Sequence, residues 1–103
     1  AFSVRWESCL ELEEAQRLFF RLGSDDGSRL LIDGETVIDS FRPQAFRWDE
    51  GEARLEAGRH AVTLEYFENT GHAGIIFETH RGSLAGPLLS PRAYRLPGEE
   101  GCE

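Results

Sequence analysis

The sequence predicts an all-β domain, an antiparallel sandwich or barrel, on three observations. Short stretches alternate apolar and polar residues with a period of two, from Phe2, Val4 and Trp6 to Val62, Leu64 and Tyr66. Glycine-bearing turns divide these stretches at short spacing. Asp33-Gly34 separates two β-rich runs, the strongest short-range hairpin signal. The 103 residues amount to one domain, expected over residues 1–97 and followed by a polar tail at 98–103.

The first strand runs from Phe2, with Phe2, Val4 and Trp6 on one face and Ser3, Arg5 and Glu7 on the other. Ser8 to Glu11 then reads as a helix capping box, and Leu10 to Leu18 holds good helix formers. Local propensity therefore favours a helix over about residues 9–21, against its β neighbours. Arg29 to Ile32 and Glu35 to Asp39 are the arms of the Asp33-Gly34 hairpin. Ala45 to Leu55 is a further strand region, and Glu56-Ala57-Gly58 turns the chain. Arg59 to Phe67 alternates again, with His60, Val62, Leu64 and Tyr66 on one face. Glu68 to Gly74 is a polar loop, and Gly74 to Thr79 a short apolar strand. Pro87, Pro91 and Pro97 punctuate the tail.

Composition narrows the function classes. The net charge is −8, and every Lys-or-Arg position is Arg. Such a domain suits neither a phosphate backbone, which needs clustered cations, nor an anionic membrane surface. No apolar run approaches the ~20 residues that span a bilayer, so neither nucleic acid nor membrane insertion is expected. Excess carboxylate suits a hard cation such as Ca²⁺, or serves solubility alone. Cys9 and Cys102 lie near opposite ends. If they pair, the closed loop is worth roughly 4–5 kcal/mol and requires an oxidising compartment. The alternatives are two unrelated thiols, or partners in a neighbouring segment. Their spacing does not suggest zinc.

Several motifs in series carry a resemblance. Phe2-Ser3-Val4-Arg5-Trp6-Glu7, the run Phe20 to Gly34 containing Gly23-Ser24-Asp25-Asp26-Gly27-Ser28, and Val37-Ile38-Asp39 resemble the protective-antigen PA-fourteen domain family. Leu55 to His60, Leu64 to Asn69, Gly71 and Ala73-Gly74 continue the match in order, and Pro87 to Leu96 resembles the closing segment. The resemblance implies an antiparallel β-sandwich from a secreted, extracellular or cell-surface protein. It implies strand, turn, strand where propensity favours a helix, with the turn at Glu13 to Gln16. Two departures stand out. The extra segment that usually precedes the first strand is lacking, and Cys9 replaces a common aromatic.

The resemblance also implies a site. In sugar-binding members, two consecutive aspartates joined by a cis peptide bind Ca²⁺, and Asp25-Asp26 match them. A second loop supplies an Asn side chain and two carbonyls just before a glycine, which places Asn69, Gly71 and Ala73 in the metal set. Two carboxylates, one amide oxygen and two carbonyls are hard oxygen ligands, and Ca²⁺ takes about 6–8. Water or sugar hydroxyls would fill the rest, with Asp25 and Asp26 also contacting the glycan and His72 either lining the sugar pocket or facing solvent. The competing reading makes Gly23 to Ser28 a tight turn whose aspartates cap backbone N–H groups.

Other residues read more plainly. Trp6 and Trp48 can stack on sugars, though core packing is the simpler expectation, and His60 is expected to be structural. Glu65 and Glu68 imitate a glycosidase pair in a chain rich in acids. Ser24, Ser28 and Ser40 have no triad partners, and there is no phosphate loop or dinucleotide fingerprint. The expected function is a noncatalytic, calcium-assisted carbohydrate-binding module with a glycan partner. The alternatives are a structural or protein-interaction module positioning a neighbouring glycosidase or glycosyltransferase domain, and an insert that shapes a glycosidase's substrate site.

Overall fold

A computed structural model describes residues 2–68, 74–88 and 94–95. The described elements are strands β1 (Phe2–Leu12), β2 (Gln16–Asp25), β3 (Ser28–Ile32), β4 (Glu35–Ser40), β5 (Arg47–Leu55), β6 (Gly58–Glu68), β7 (Gly74–Arg81) and β8 (Tyr94–Arg95). They form two antiparallel sheets, one of five strands in the order β4-β3-β6-β1-β8 and one of three in the order β5-β2-β7. The expected β-sandwich is the observed architecture.

The helix favoured by propensity over residues 9–21 does not form. β1 pairs with β6 along its whole length, from Phe2 opposite Glu68 to Leu12 opposite Gly58. β2 is held between β5 and β7. Leu10 and Leu12, then Leu18, Phe20 and Leu22, point into the core at a period of two. Helix propensities differ by less than about 1 kcal/mol per residue among ordinary side chains, and burial of these five side chains outweighs that. The chain turns at residues 13–15, close to the implied turn.

Asp33-Gly34 makes the expected hairpin between β3 and β4, with φ of 52° and 82°. Positive φ at both central residues matches the right-handed twist of the paired strands. The described connections β1–β2, β2–β3, β4–β5 and β5–β6 all pass from one sheet to the other. Antiparallel pairing therefore gathers residues 26–27 and 41–46, and the facing ends of β6 and β7, at one end of the sandwich. The hairpin and the turns at 13–15 and 56–57 gather at the opposite end.

The interior changes character between those ends. Leu12, Ile32 and Leu55 lie at the hairpin end, and Phe20 stacks on Phe77 mid-sandwich at 6.1 Å between centroids. At the other end the inward positions are polar, and Ser24, Ser28, Ser40 and Glu68 are all buried. Gly27 is clamped there. A Cβ on it would lie 2.4 Å from both the Arg42 nitrogen and Phe67 Cε1. Cys9 is fully buried on β1. Cys102 lies outside the described residues, and so does its pairing with Cys9.

Both tryptophans depart from the core expectation. Trp6 is 44 % exposed and Trp48 39 %. Trp6 faces inward on β1, but a three-stranded sheet cannot cover a five-stranded one. An apolar recess of about 180 Å³ remains beside it, lined by Trp6, Ser8, Val62, Leu64 and Phe77. Trp48 faces outward on β5, opposite Gly23.

His60 ties the hairpin end together, as its structural reading expects. Its Nδ1 lies 2.6 Å from Asp33 Oδ2 and its Nε2 2.8 Å from the Glu56 carbonyl. Asp33 also accepts from the Ala61 N–H and donates its own N–H to the Ala61 carbonyl. Both ring nitrogens meet acceptors, so only the protonated ring donates to both. Burial disfavours that charge, but the hydrogen bonds to Asp33 and Glu56 and their electrostatic attraction outweigh it, and the pKa is raised. His80 has the same sign, through hydrogen bonds to the Gly86 carbonyl and Glu78 that prevail over burial and Arg21. A raised histidine pKa adds stability that is full below the unfolded value of about 6.5 and is lost as pH rises through the folded value. Thermal unfolding should therefore shift to lower temperature between about pH 6 and pH 8. His60→Gln should reduce that slope, and adding His80→Gln should flatten it further. A melting temperature rising over this interval would contradict the assignment.

Candidate functional site

The polar end of the interior is built by inward residues at the ends of four strands, Ser24, Ser28, Ser40 and Glu68. Ser24 on β2 and Ser28 on β3 share a hydrogen bond at 2.7 Å between hydroxyls. Ser40 on β4 donates to Gln44 Oε1 at 2.6 Å, and Gln44 Nε2 donates to the Ser24 carbonyl at 3.2 Å. The backbone N–H of Gln44 donates to Asp26 Oδ1 at 2.9 Å. Segment 41–46 is thereby anchored over the β2–β3 crossing, and the three serines are all hydrogen-bonded within this network.

The Asp25–Asp26 peptide is cis. Asp25, Asp26 and Glu68 each present one carboxylate oxygen within 4.8 Å of the others. Tyr66 binds the group together. Its hydroxyl donates to the Asp25 carbonyl at 2.6 Å, accepts the Gly74 N–H at 3.0 Å and lies 3.3 Å from Glu68 Oε2. Burial, with the charges of Glu68 and Asp25, raises the Tyr66 pKa against the lowering effect of the Gly74 N–H, and the phenol stays a donor.

Glu68 is the residue that the sequence reading did not place in this site. It is 5 % exposed, and its Oε1 is buried without a hydrogen-bond partner among the described residues. A buried carboxylate oxygen left bare is costly. The donor set fits Ca²⁺, because oxygens that share an ion at about 2.3–2.6 Å lie at most about 5 Å apart. Glu68 shares the inward face of β6 with Val62 and Tyr66, so an acid at a core parity was the available signal. Glu65 lies three residues away on the opposite face and pairs with Arg29, so the two do not form a catalytic pair.

Asn69, Gly71, His72 and Ala73 lie outside the described residues. The strand ends that bracket them are placed: Glu68 closes β6 inside the carboxylate group, and Gly74 opens β7 paired with Asp25.

Replacing Tyr66 with Phe keeps the ring and removes the hydroxyl, leaving the Asp25 carbonyl and the Gly74 N–H without it. The expected destabilisation is about 1–3 kcal/mol, or a fall in melting temperature of about 4–8 °C per kcal/mol, measured by calorimetry. An unchanged melting temperature would remove Tyr66 from the centre of the site.

Comparison with known proteins agrees with this architecture. Residues 1–83 match the PA14 domain family model. A stretch of 69 residues, 66% of the chain, is 32% identical to anti-sigma-I factor RsgI3 of Acetivibrio thermocellus, and corresponds to 11% of that protein. A solved anti-sigma factor domain-containing protein superposes with a TM-score of 0.80 over 94% of this chain at 24% identity, and the chain spans 34% of it. That likeness concerns the fold. With the family model covering most of the chain and the sandwich on which it rests in place, the protein belongs to the PA14 domain family.

Proposed function

We propose that this domain is a noncatalytic carbohydrate-binding module in which Ca²⁺, held by Asp25, Asp26 and Glu68, bridges protein and glycan. The observation that carries the reading is the buried Glu68 Oε1, unpartnered among the described residues, beside two further carboxylates. A hard cation answers that arrangement. Asn69, Gly71 and Ala73 complete the proposed oxygen set, with His72 beside the sugar. When bound, the ion supplies open coordination positions for vicinal hydroxyls. The protein's own residues hold the carboxylates together through Tyr66 and Gln44 and keep the site rigid.

A second reading concerns context. The relative matched in sequence is named as an anti-sigma-I factor, and the chain spans 11% of it. This favours a ligand-sensing module of a longer regulatory chain over one that positions a neighbouring glycosidase or glycosyltransferase. The proposed setting is extracellular or at the cell surface, where glycans and millimolar calcium are available and where Cys9 can form a disulfide.

Calcium titration tests the reading. At a hundredfold excess over Kd a ligand adds about 2.7 kcal/mol, which in a domain of this size raises the melting temperature by about 10–20 °C. Glu68→Gln should have effects of opposite sign with and without the ion. In EDTA it relieves buried charge and leaves the protein as stable or more so, whereas in calcium it removes most of the shift. Absence of any calcium shift in the wild type would end the metal reading. Glycan binding that survives EDTA and Asp26→Asn would end the bridging one.

A further inference from the structure

We infer that the outer face of the three-stranded sheet beside Asp25 is a second sugar subsite, an aromatic shelf for a neutral glycan longer than one sugar. The inference rests on the reading of the carboxylate site as glycan-binding and adds a specificity determinant to it.

The register defines the shelf. Alternation along β2 turns Arg21, Gly23 and Asp25 outward, away from buried Leu22 and Ser24. Gly23 lies between Trp48 on β5 and Ile76 on β7. Asp25, one outward step further on, pairs with Gly74, and Phe46 directly precedes the Arg47–Ser24 pair. Trp48, Phe46 and Ile76 are 39 %, 44 % and 46 % exposed, and the three belong to the small set of large exposed hydrophobics among the described residues. They converge on one patch bordering the proposed ion site.

The centre of the patch is a residue without a side chain. A Cβ on Gly23 would lie 2.6 Å from Phe46 Cζ and 2.8 Å from Trp48 Cε3. Only glycine lets both rings settle over the β2 backbone. The rings are also fixed. Phe46 and Trp48 meet edge to face at 5.5 Å, and the Arg21 guanidinium lies 4.2 Å from the Trp48 ring centre. Arg21 is itself flanked by Glu50 at 3.9 Å and Glu78 at 3.6 Å. A surface ordered before binding costs less entropy when it is used.

The chemistry selects the occupant. A pyranose has an apolar C–H face and a polar rim. It suits a shallow aromatic shelf bordered by Arg21 and Glu78. The acids Asp25, Glu50 and Glu78 around the patch disfavour an anionic sugar. Two residues of strand separate Gly23 from Asp25, about 7 Å. A sugar held at the ion therefore leaves the shelf to the next one along the chain.

The test compares wild type, Trp48→Ala and Phe46→Ala on an array of neutral mono- to hexasaccharides in millimolar calcium. Titration calorimetry then follows with the tightest oligosaccharide and its terminal monosaccharide. Each variant should weaken the oligosaccharide about tenfold, change the monosaccharide less than twofold, and leave calcium affinity in the absence of sugar unchanged. Equal affinities for the oligosaccharide, or equal losses on both ligands, would overturn the shelf while leaving the calcium-bridged lectin standing. Calcium binding with no array glycan bound by the wild type would overturn both, and would assign the patch to protein contact. If an alanine variant fails to fold, Trp6→Phe leaves Trp48 as the sole tryptophan. A change in its emission on adding the oligosaccharide supports the shelf, and constant emission overturns it.

Discussion

The Tyr66 hydroxyl sits where the interior stops being apolar, and much of the molecule depends on how it is used. One phenol accepts from the start of β7, donates to the end of β2 and lies beside a buried carboxylate on its own strand. It therefore joins the two sheets at the end where leucine and phenylalanine no longer do so. Farther in, Phe20, Leu22 and Leu30 hold the sheets together by area alone. Near Tyr66 the same task falls to directed bonds among Ser24, Ser28, Ser40 and Gln44. Directed bonds fix positions more narrowly than apolar packing, and a site for an ion needs that narrowness.

Two ends of one sandwich thus follow different rules. At the hairpin end, Asp33 and His60 close the structure with charge-assisted contacts over a packed core. At the other end, buried acids accumulate, and segment 41–46 is anchored by backbone and amide contacts as well as by Phe41 against Phe67 and Phe46 against Trp48. Gly27 makes that anchoring possible, since Phe67 and the Arg42 backbone occupy the space any side chain would need.

Much of this was legible in the sequence. Alternation located the strands, and Asp33-Gly34 marked its hairpin because few dipeptides accept two positive φ angles. The Asp25-Asp26 pair was legible through the family resemblance. The strand β1–β2 region was not legible locally, because Leu10 to Leu18 favours a helix by propensity while sheet partners some 50 residues away decide the outcome. Glu68 was missed because an acid in a chain with 19 Asp and Glu draws no notice. Its parity with Val62 and Tyr66 distinguishes it only once the inward face is known. The two tryptophans were misplaced for a related reason. Hydrophobicity predicts burial, but Trp6 faces a part of its sheet that the narrower sheet does not cover, and Trp48 faces outward on β5.

The crossing pattern bears on how such a domain can diversify. Among the described residues, strand pairing and the apolar core are complete without segment 41–46, which leaves one sheet and enters the other at the polar end. Length and composition there can drift while registers and core side chains stay fixed. The scaffold therefore separates inheritance of shape from choice of ligand. A library randomised in 41–46 and 69–73, with Tyr66, Gln44 and Gly27 kept, would explore recognition without refolding the protein each time.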